Sequence, residues 1–306
     1  VVSVRGVLPV FQTPYFDDAF RNETIDFATL EREINWLFDC GSDGIVMAMV
    51  SEVLRLTSEE RKALAEAACR FGLPRGSVTI SVGAESSFVA EGFARHAESV
   101  GASAVMAIPP VSITIDESEL RRYYERILNA VSIPVIVQDA SGYVGRPMSI
   151  ELQAALFNEY GPRVMFKPEA EPIGPRLTAL REATFGGAQV FEGSGGIALV
   201  DSYRRGIVGT MPGADLIDAI VALWRALQTG DEAKVARIHA LLAALISLQK
   251  GLDGFLAVEK HLLRRRGIFN NTRVRGPVGF VLDEVTRAEV DVLFDQLQVE
   301  VELQTR

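Results

Sequence analysis

The sequence predicts an α/β protein, a (β/α)8 TIM barrel with a C-terminal helical extension. Three observations carry that expectation. Eight short apolar runs alternate with amphipathic helical patterns along the chain, and alternation of this kind makes a parallel sheet. The runs are nearly continuous in apolar residues rather than alternating in and out, as strands are when helices cover one face and the barrel's own interior covers the other. After the eighth run the chain reads as helix almost to its end.

The strand-like runs are residues 6–10, 44–49, 77–82, 104–108, 134–137, 164–166, 188–191 and 207–210. Helical patterns occupy 26–40, 58–71, 88–100, 117–131, 149–160, 174–184 and 195–205. Local chemistry supports two of the helix starts: Thr57 and Glu60 have the spacing of a capping box, and Ser149 stands where an N-cap belongs. Further helices are expected at 214–228, 231–248, 254–266 and 286–299. One closes the barrel, so residues 1–228 read as the catalytic barrel and 229–306 as the extension. The polar, Gly- and Pro-bearing stretch 270–279 is a loop rather than a boundary.

With 306 residues, 48% hydrophobic and 23% charged, the chain can bury a large core without disulfide or metal staples. A net charge of −9 argues against a nucleic-acid partner. The longest apolar runs fall far short of the roughly 20 residues of a membrane span, and the first residues carry no signal-peptide pattern. Cys40 and Cys69 are the only cysteines, without C-x-x-C spacing or clustered histidine. These features lead us to expect a soluble, cytoplasmic protein without a metal site.

In such a barrel the chemistry lies at the C-terminal ends of the strands. The polar residues there are Gln12 and Thr13, Ser51 and Glu52, Gln138 and Asp139, Lys167 and Glu169, and Glu192 and Ser194. Lys167 stands out. Only five of the 31 basic residues are lysines, and Lys62, Lys234, Lys250 and Lys260 fall in helical patterns where a solvated face accounts for them. Lys167 instead ends the run Val164-Met165-Phe166. An amine in an apolar barrel mouth is desolvated, which leaves it partly neutral and nucleophilic toward a carbonyl; the alternative is a salt bridge to Glu169, Glu171 or Glu192. His96, His239 and His261 all lie within helical segments, and no G-x-S-x-G elbow is present. The run 193–198 loosely fits a dinucleotide fingerprint, but a tight, substrate-facing loop is the better reading, so no cofactor is expected.

This order of motifs resembles the dihydrodipicolinate synthase / N-acetylneuraminate lyase superfamily of class I, Schiff-base-forming lyases. The resemblance covers residues 6–14 with Thr13-Pro14, 44–61 with Ser51-Glu52 and Leu56-Thr57-Ser58-Glu59-Glu60-Arg61, then 101–110, 134–139, the Lys167 segment and the helical extension. It implies a homo-oligomeric barrel, usually a tetramer, in which Lys167 condenses with a 2-oxo acid. The departures are informative. The family's hydroxyl pair is replaced by Met49 and Val50, its fifth-strand tyrosine by Gln138, and its tyrosine after the fourth strand by Val111. Tyr143 stands where an arginine would hold aspartate semialdehyde. These replacements resemble the 2-keto-3-deoxy-L-arabonate dehydratases, which share the Ser-Glu loop, a Val-Gln-Asp-Ala strand and a Phe-Lys-x-Glu strand.

The resemblance implies a lysine imine that acidifies the C3 hydrogens. Loss of the C4 hydroxyl then gives dehydration, whereas proton removal from that hydroxyl breaks C3–C4 in the aldol sense. Lys167, Gln138 and Glu169 are the catalytic candidates. Ser51, Glu52, Asp139, Glu192, Ser194 and Thr13 are the candidates for substrate binding, with Ser51 and Ser194 on the carboxylate and Thr13 also able to cap a turn. Glu52, Asp139, Glu169 and Glu192 are each a possible general acid/base or a supporting carboxylate. We expect a hydro-lyase acting on a 2-keto-3-deoxy sugar acid. The alternatives are a pyruvate-releasing aldolase, a dihydrodipicolinate synthase-like enzyme, and a barrel that binds without catalysis.

Overall fold

A computed structural model describes residues 3–142 and 145–302. Its eight parallel strands are β1 (Gly6–Val7), β2 (Gly44–Met47), β3 (Ser77–Ser81), β4 (Ala104–Ala107), β5 (Val135–Asp139), β6 (Val164–Pro168), β7 (Gln189–Glu192) and β8 (Gly209–Thr210). They follow one another in chain order around the sheet, β1 pairing with β8. A parallel bridge between Val10 and Val46 closes the ring, making a (β/α)8 barrel.

The surrounding helices are α1 (Phe27–Asp39), α2 (Ser58–Gly72), α3 (Ser87–Ser99), α4 (Glu117–Ala130), α5 (Ile150–Tyr160), α6 (Ile173–Ala183), α7 (Leu199–Arg204) and α8 (Ile217–Thr229). Beyond them come α9 (Glu232–Ile246), α10 (Gly251–Arg265) and α11 (Glu284–Glu302). Among the described residues no single helix is long and apolar enough to cross a membrane. The capping box forms: Glu60 N–H donates to Thr57 Oγ1 at 3.2 Å and Thr57 N–H to Glu60 Oε2 at 2.9 Å. Ser149 caps α5 by accepting from Leu152 N–H at 3.0 Å.

Two elements differ from expectation for backbone reasons. The first strand was expected to run to residue 10 but ends at Val7. Leu8 and Val10 still donate to the carbonyls of Thr210 and Pro212, but Pro9 between them has no N–H to continue the ladder. The helix expected from residue 195 begins at Leu199. Gly195 and Gly196 adopt φ of 75° and 115°, conformations that cannot open a right-handed helix.

Among the described residues the buried hydrophobic side chains form two main cores and a small third cluster of Met49, Ile108 and Ala140. The larger fills the space between sheet and helices, while Leu8, Val46, Met106, Ile136, Met165 and Phe191 belong to a separate cluster inside the barrel. Strand side chains alternate with period two. With Ile136, Met165 and Phe191 inside, the next inward positions are Gln138, Lys167 and Gly193.

Candidate active site

Above the interior core, at the C-terminal ends of the strands, lies a cavity of about 40 Å³. Val10, Ala48, Met49, Val50, Met211, Leu252 and Phe255 give it an apolar lining, and Gln138, Lys167, Glu169 and Glu259 are its polar side chains. Alternation continues past the end of β6, so Lys167 and Glu169 share a face. Lys167 Nζ lies 3.1 Å from Glu169 Oε1, both side chains being 5% exposed or less. Gln138 is the register neighbour of Lys167 and donates Nε2–H to Glu169 Oε2 at 3.0 Å.

Burial raises the Glu169 pKa above the ordinary carboxylate value. The Lys167 charge and the Gln138 hydrogen bond oppose that shift, and the charge of Glu192 adds to it. A carboxylate so raised is a better proton acceptor for the amine beside it. Gly193 makes room for the pair: a Cβ there would stand 2.6 Å from Lys167 Cε and 2.8 Å from Glu169 Oε1.

The other sequence candidates are engaged in holding loops. Ser51 Oγ donates to the Phe11 carbonyl at 2.6 Å and accepts from Ala48 N–H at 3.1 Å, while Thr13 Oγ1 donates to the Ser51 carbonyl at 2.6 Å. These bonds tie the loops after β1 and β2 together. Asp139 accepts from the backbone N–H groups of Ser141 and Met148 at 3.1 and 2.9 Å, fixing the loop after β5. Glu192 accepts from Thr210 Oγ1 at 2.6 Å, from Ser194 N–H at 2.6 Å, and from the Ser194 hydroxyl. Tyr143 lies outside the described residues.

Lys260 corrects the sequence reading. Expected on a solvated face, it is wholly buried and pairs with Glu52 at 2.5 Å. Glu259, its neighbour, was not anticipated at the site at all, yet it lines the cavity from α10 and accepts from Gln12 Nε2–H at 2.7 Å. The signal was present in the helical spacing. Glu259 lies four residues after Phe255 and three before Leu262, and Lys260 lies four after Leu256 and three before Leu263, which puts both on the apolar side of α10.

The histidines have partners elsewhere: His96 with Glu66, His239 with the Ile197 carbonyl, and His261 with Asp291. Among the described residues no group of three or more histidine, cysteine or acidic side chains could hold a metal ion.

Comparison with known proteins places this geometry in context. The chain is 30% identical over 295 residues to L-2-keto-3-deoxyarabonate dehydratase from Azospirillum brasilense, covering 94% of this chain and 92% of that protein. Its fold matches a dihydrodipicolinate synthase from Rhodopseudomonas palustris with a TM-score of 0.85 at 24% identity, covering 96% of this chain and 98% of that one. It also matches a prophage protein of the dihydrodipicolinic acid synthase family from E. coli K12, solved with pyruvate, with a TM-score of 0.86 at 24% identity and the same coverage. The model of the dihydrodipicolinate synthetase family matches residues 3–296, and the chain belongs to that family.

Proposed function

We propose that the protein is a Schiff-base-forming hydro-lyase of 2-keto-3-deoxy sugar acids, acting on 2-keto-3-deoxy-L-arabonate or a close relative. Family membership and the similarity to an L-2-keto-3-deoxyarabonate dehydratase support the lyase class and the dehydratase type. The observation that carries the mechanism is the buried Lys167–Glu169 pair with Gln138 on its far oxygen.

In this reading Lys167 gives its proton to Glu169 and attacks the C2 carbonyl. Glu169 returns that proton to the C2 hydroxyl, which leaves as water; this restores the Glu169 carboxylate and leaves a protonated imine, an electron sink that acidifies C3. Glu169 lies beside the imine nitrogen, two bonds from C3, and takes the C3 proton; the C4 hydroxyl leaves with a proton as water. Gln138 keeps the Glu169 carboxyl oriented through the cycle. Ser51, Thr13, Glu52, Asp139, Glu192 and Ser194 hold the loops around the substrate, with Ser194 the one next to the cavity-lining Gly193 and Gly195. Barrel and extension act as one catalytic unit, and a tetramer or dimer is the assembly we expect from the family resemblance.

The test is product analysis with 2-keto-3-deoxy-L-arabonate. Water loss without pyruvate release supports the dehydratase. Pyruvate detected by coupling to lactate dehydrogenase supports an aldolase in its place, and turnover of neither kind contradicts the assignment.

A further inference from the structure

Glu259 is a buried carboxyl in a lyase cavity that its own barrel does not supply. It comes from α10, is 1% exposed, and shares the cavity wall with Lys167 and Glu169. A carboxyl placed in an otherwise largely apolar space is costly unless its polar atoms are used. Oε2 accepts from Gln12 Nε2–H at 2.7 Å and the Ala214 N–H also bonds the carboxyl, which together fix the plane of the group. Gly213, after β8, leaves space for it, because a Cβ there would stand 2.6 Å from Glu259 Oε1 and 2.7 Å from Cδ. The carboxyl is therefore built into the wall between the ends of β1 and β8, two strands round the barrel from Lys167.

We propose that Glu259 is the specificity residue for the far end of the substrate, its carboxyl group hydrogen-bonding a hydroxyl beyond C3. The inference rests on the lyase reading above and deepens it. The charges around Glu259 determine which part of the substrate it meets. Its acidic neighbours are Glu33 from α1, whose Oε1 accepts from Gln12 N–H at 2.8 Å, and Asp215, which follows β8. Lys260 and Arg266 also act on this acidic group, on Glu33 and Asp215 respectively. Burial foremost, with the charges of Asp215 and Glu33 added, pushes the Glu259 pKa well above the ordinary value, which favours the protonated, hydrogen-bond-donating form. The burial that disfavours charge on these acids also disfavours a substrate carboxylate among them. A neutral hydroxyl is accepted, and the imine at Lys167 fixes C2 so that the hydroxylated tail extends toward Glu259.

The test compares wild type with E259M, which keeps volume without a donor, and E259Q, which keeps a neutral donor and an acceptor for Gln12. Two readouts are taken: borohydride trapping of pyruvate on Lys167, and kcat/KM for 2-keto-3-deoxy-L-arabonate. Pyruvate lacks the tail, so trapping is expected to be equal in all three proteins. For the sugar acid, E259M is expected to lose about 10- to 100-fold in kcat/KM, mainly through KM, and E259Q to stay within about threefold of wild type. If E259M fails to trap pyruvate, E259A replaces it in the comparison. Undiminished kcat/KM in E259M overturns the proposal, since no substrate contact is then lost. An E259Q loss as large as that of E259M overturns it too, because a proton or a charge rather than a neutral donor is then required. Loss of pyruvate trapping in every Glu259 variant overturns it in favour of a structural role. Failure of wild type to trap pyruvate is a different result, which contradicts the Schiff-base reading itself.

Discussion

Lys260 Nζ lies 2.5 Å from Glu52 Oε1, and both side chains are wholly buried. The same ammonium donates to the carbonyls of Thr13 at 2.8 Å and Arg273 at 2.7 Å, so all three of its protons are used. Glu52 Oε2 in turn accepts from Arg275 N–H at 3.1 Å. The bonds fasten α10 and the loop that follows it onto the loops after β1 and β2. The C-terminal extension is thereby fixed over the barrel mouth, where Leu252, Phe255 and Glu259 complete the cavity.

Removing one member of this pair leaves the other charge buried and unpaired. Lys260→Met is expected to destabilise the protein by roughly 3–5 kcal/mol, measured as a shift in the denaturation midpoint. The double variant Glu52→Gln with Lys260→Met should recover part of that loss. A single-variant effect no larger than that of an exposed salt bridge would contradict the role assigned to the pair.

Glu169→Gln keeps the shape of the side chain and its contact with Lys167 but removes the base. Trapping of pyruvate on Lys167 should slow, because the amine loses its proton acceptor, and dehydration of the sugar acid should fall by about 100- to 10,000-fold. Rapid turnover in this variant would assign the C3 proton to another group.

Gly193→Ala places a Cβ against the Lys167 stem. Displacing the amine by a fraction of its working distance is expected to cost about 100-fold in activity, with the far-UV circular dichroism unchanged. Wild-type activity in this variant would mean that the Lys167 geometry described here is not the reacting one.

The buried acids give stability a definite pH dependence. Burial raises Asp215 from 3.8 to about 7, against the opposing charge of Arg266, and Glu33 and Glu259 are raised in the same direction. Above the unfolded pKa of 3.8 the unfolded chain has released a proton that the folded protein still holds. Stability therefore falls as pH rises between these values and is lowest, for this contribution, above about 7. The thermal midpoint is expected to be higher at pH 5 than at pH 8, and Asp215→Asn to reduce the difference. An equal slope in the variant would remove Asp215 from the explanation.

How much of this was legible in the chain depended on how local the signal was. Lys167 ends an apolar run and is one of only five lysines, so its position at a strand end, and with it Glu169 two residues on, followed from strand periodicity. Gln138 followed from the same rule on the neighbouring strand. The supporting bonds of Ser51, Asp139 and Glu192 did not, because each depends on a loop carbonyl, N–H or hydroxyl whose placement no period describes. Glu259 and Lys260 show a different limit. Helical spacing puts both on the apolar side of α10, but that this side lies over the barrel mouth is a tertiary fact, absent from the helix's own sequence. The shortened first strand and the late start of α7, by contrast, were written in Pro9, Gly195 and Gly196.

The proposed mechanism stands on an imine between Lys167 and a 2-oxo acid. Intact-protein and peptide mass after borohydride reduction with pyruvate tests it most directly, with Lys167→Ala as the paired control. A pyruvate-sized adduct is expected on the peptide containing Lys167 in wild type and none in the variant. No adduct on folded wild-type protein, or an undiminished adduct in Lys167→Ala, would contradict it.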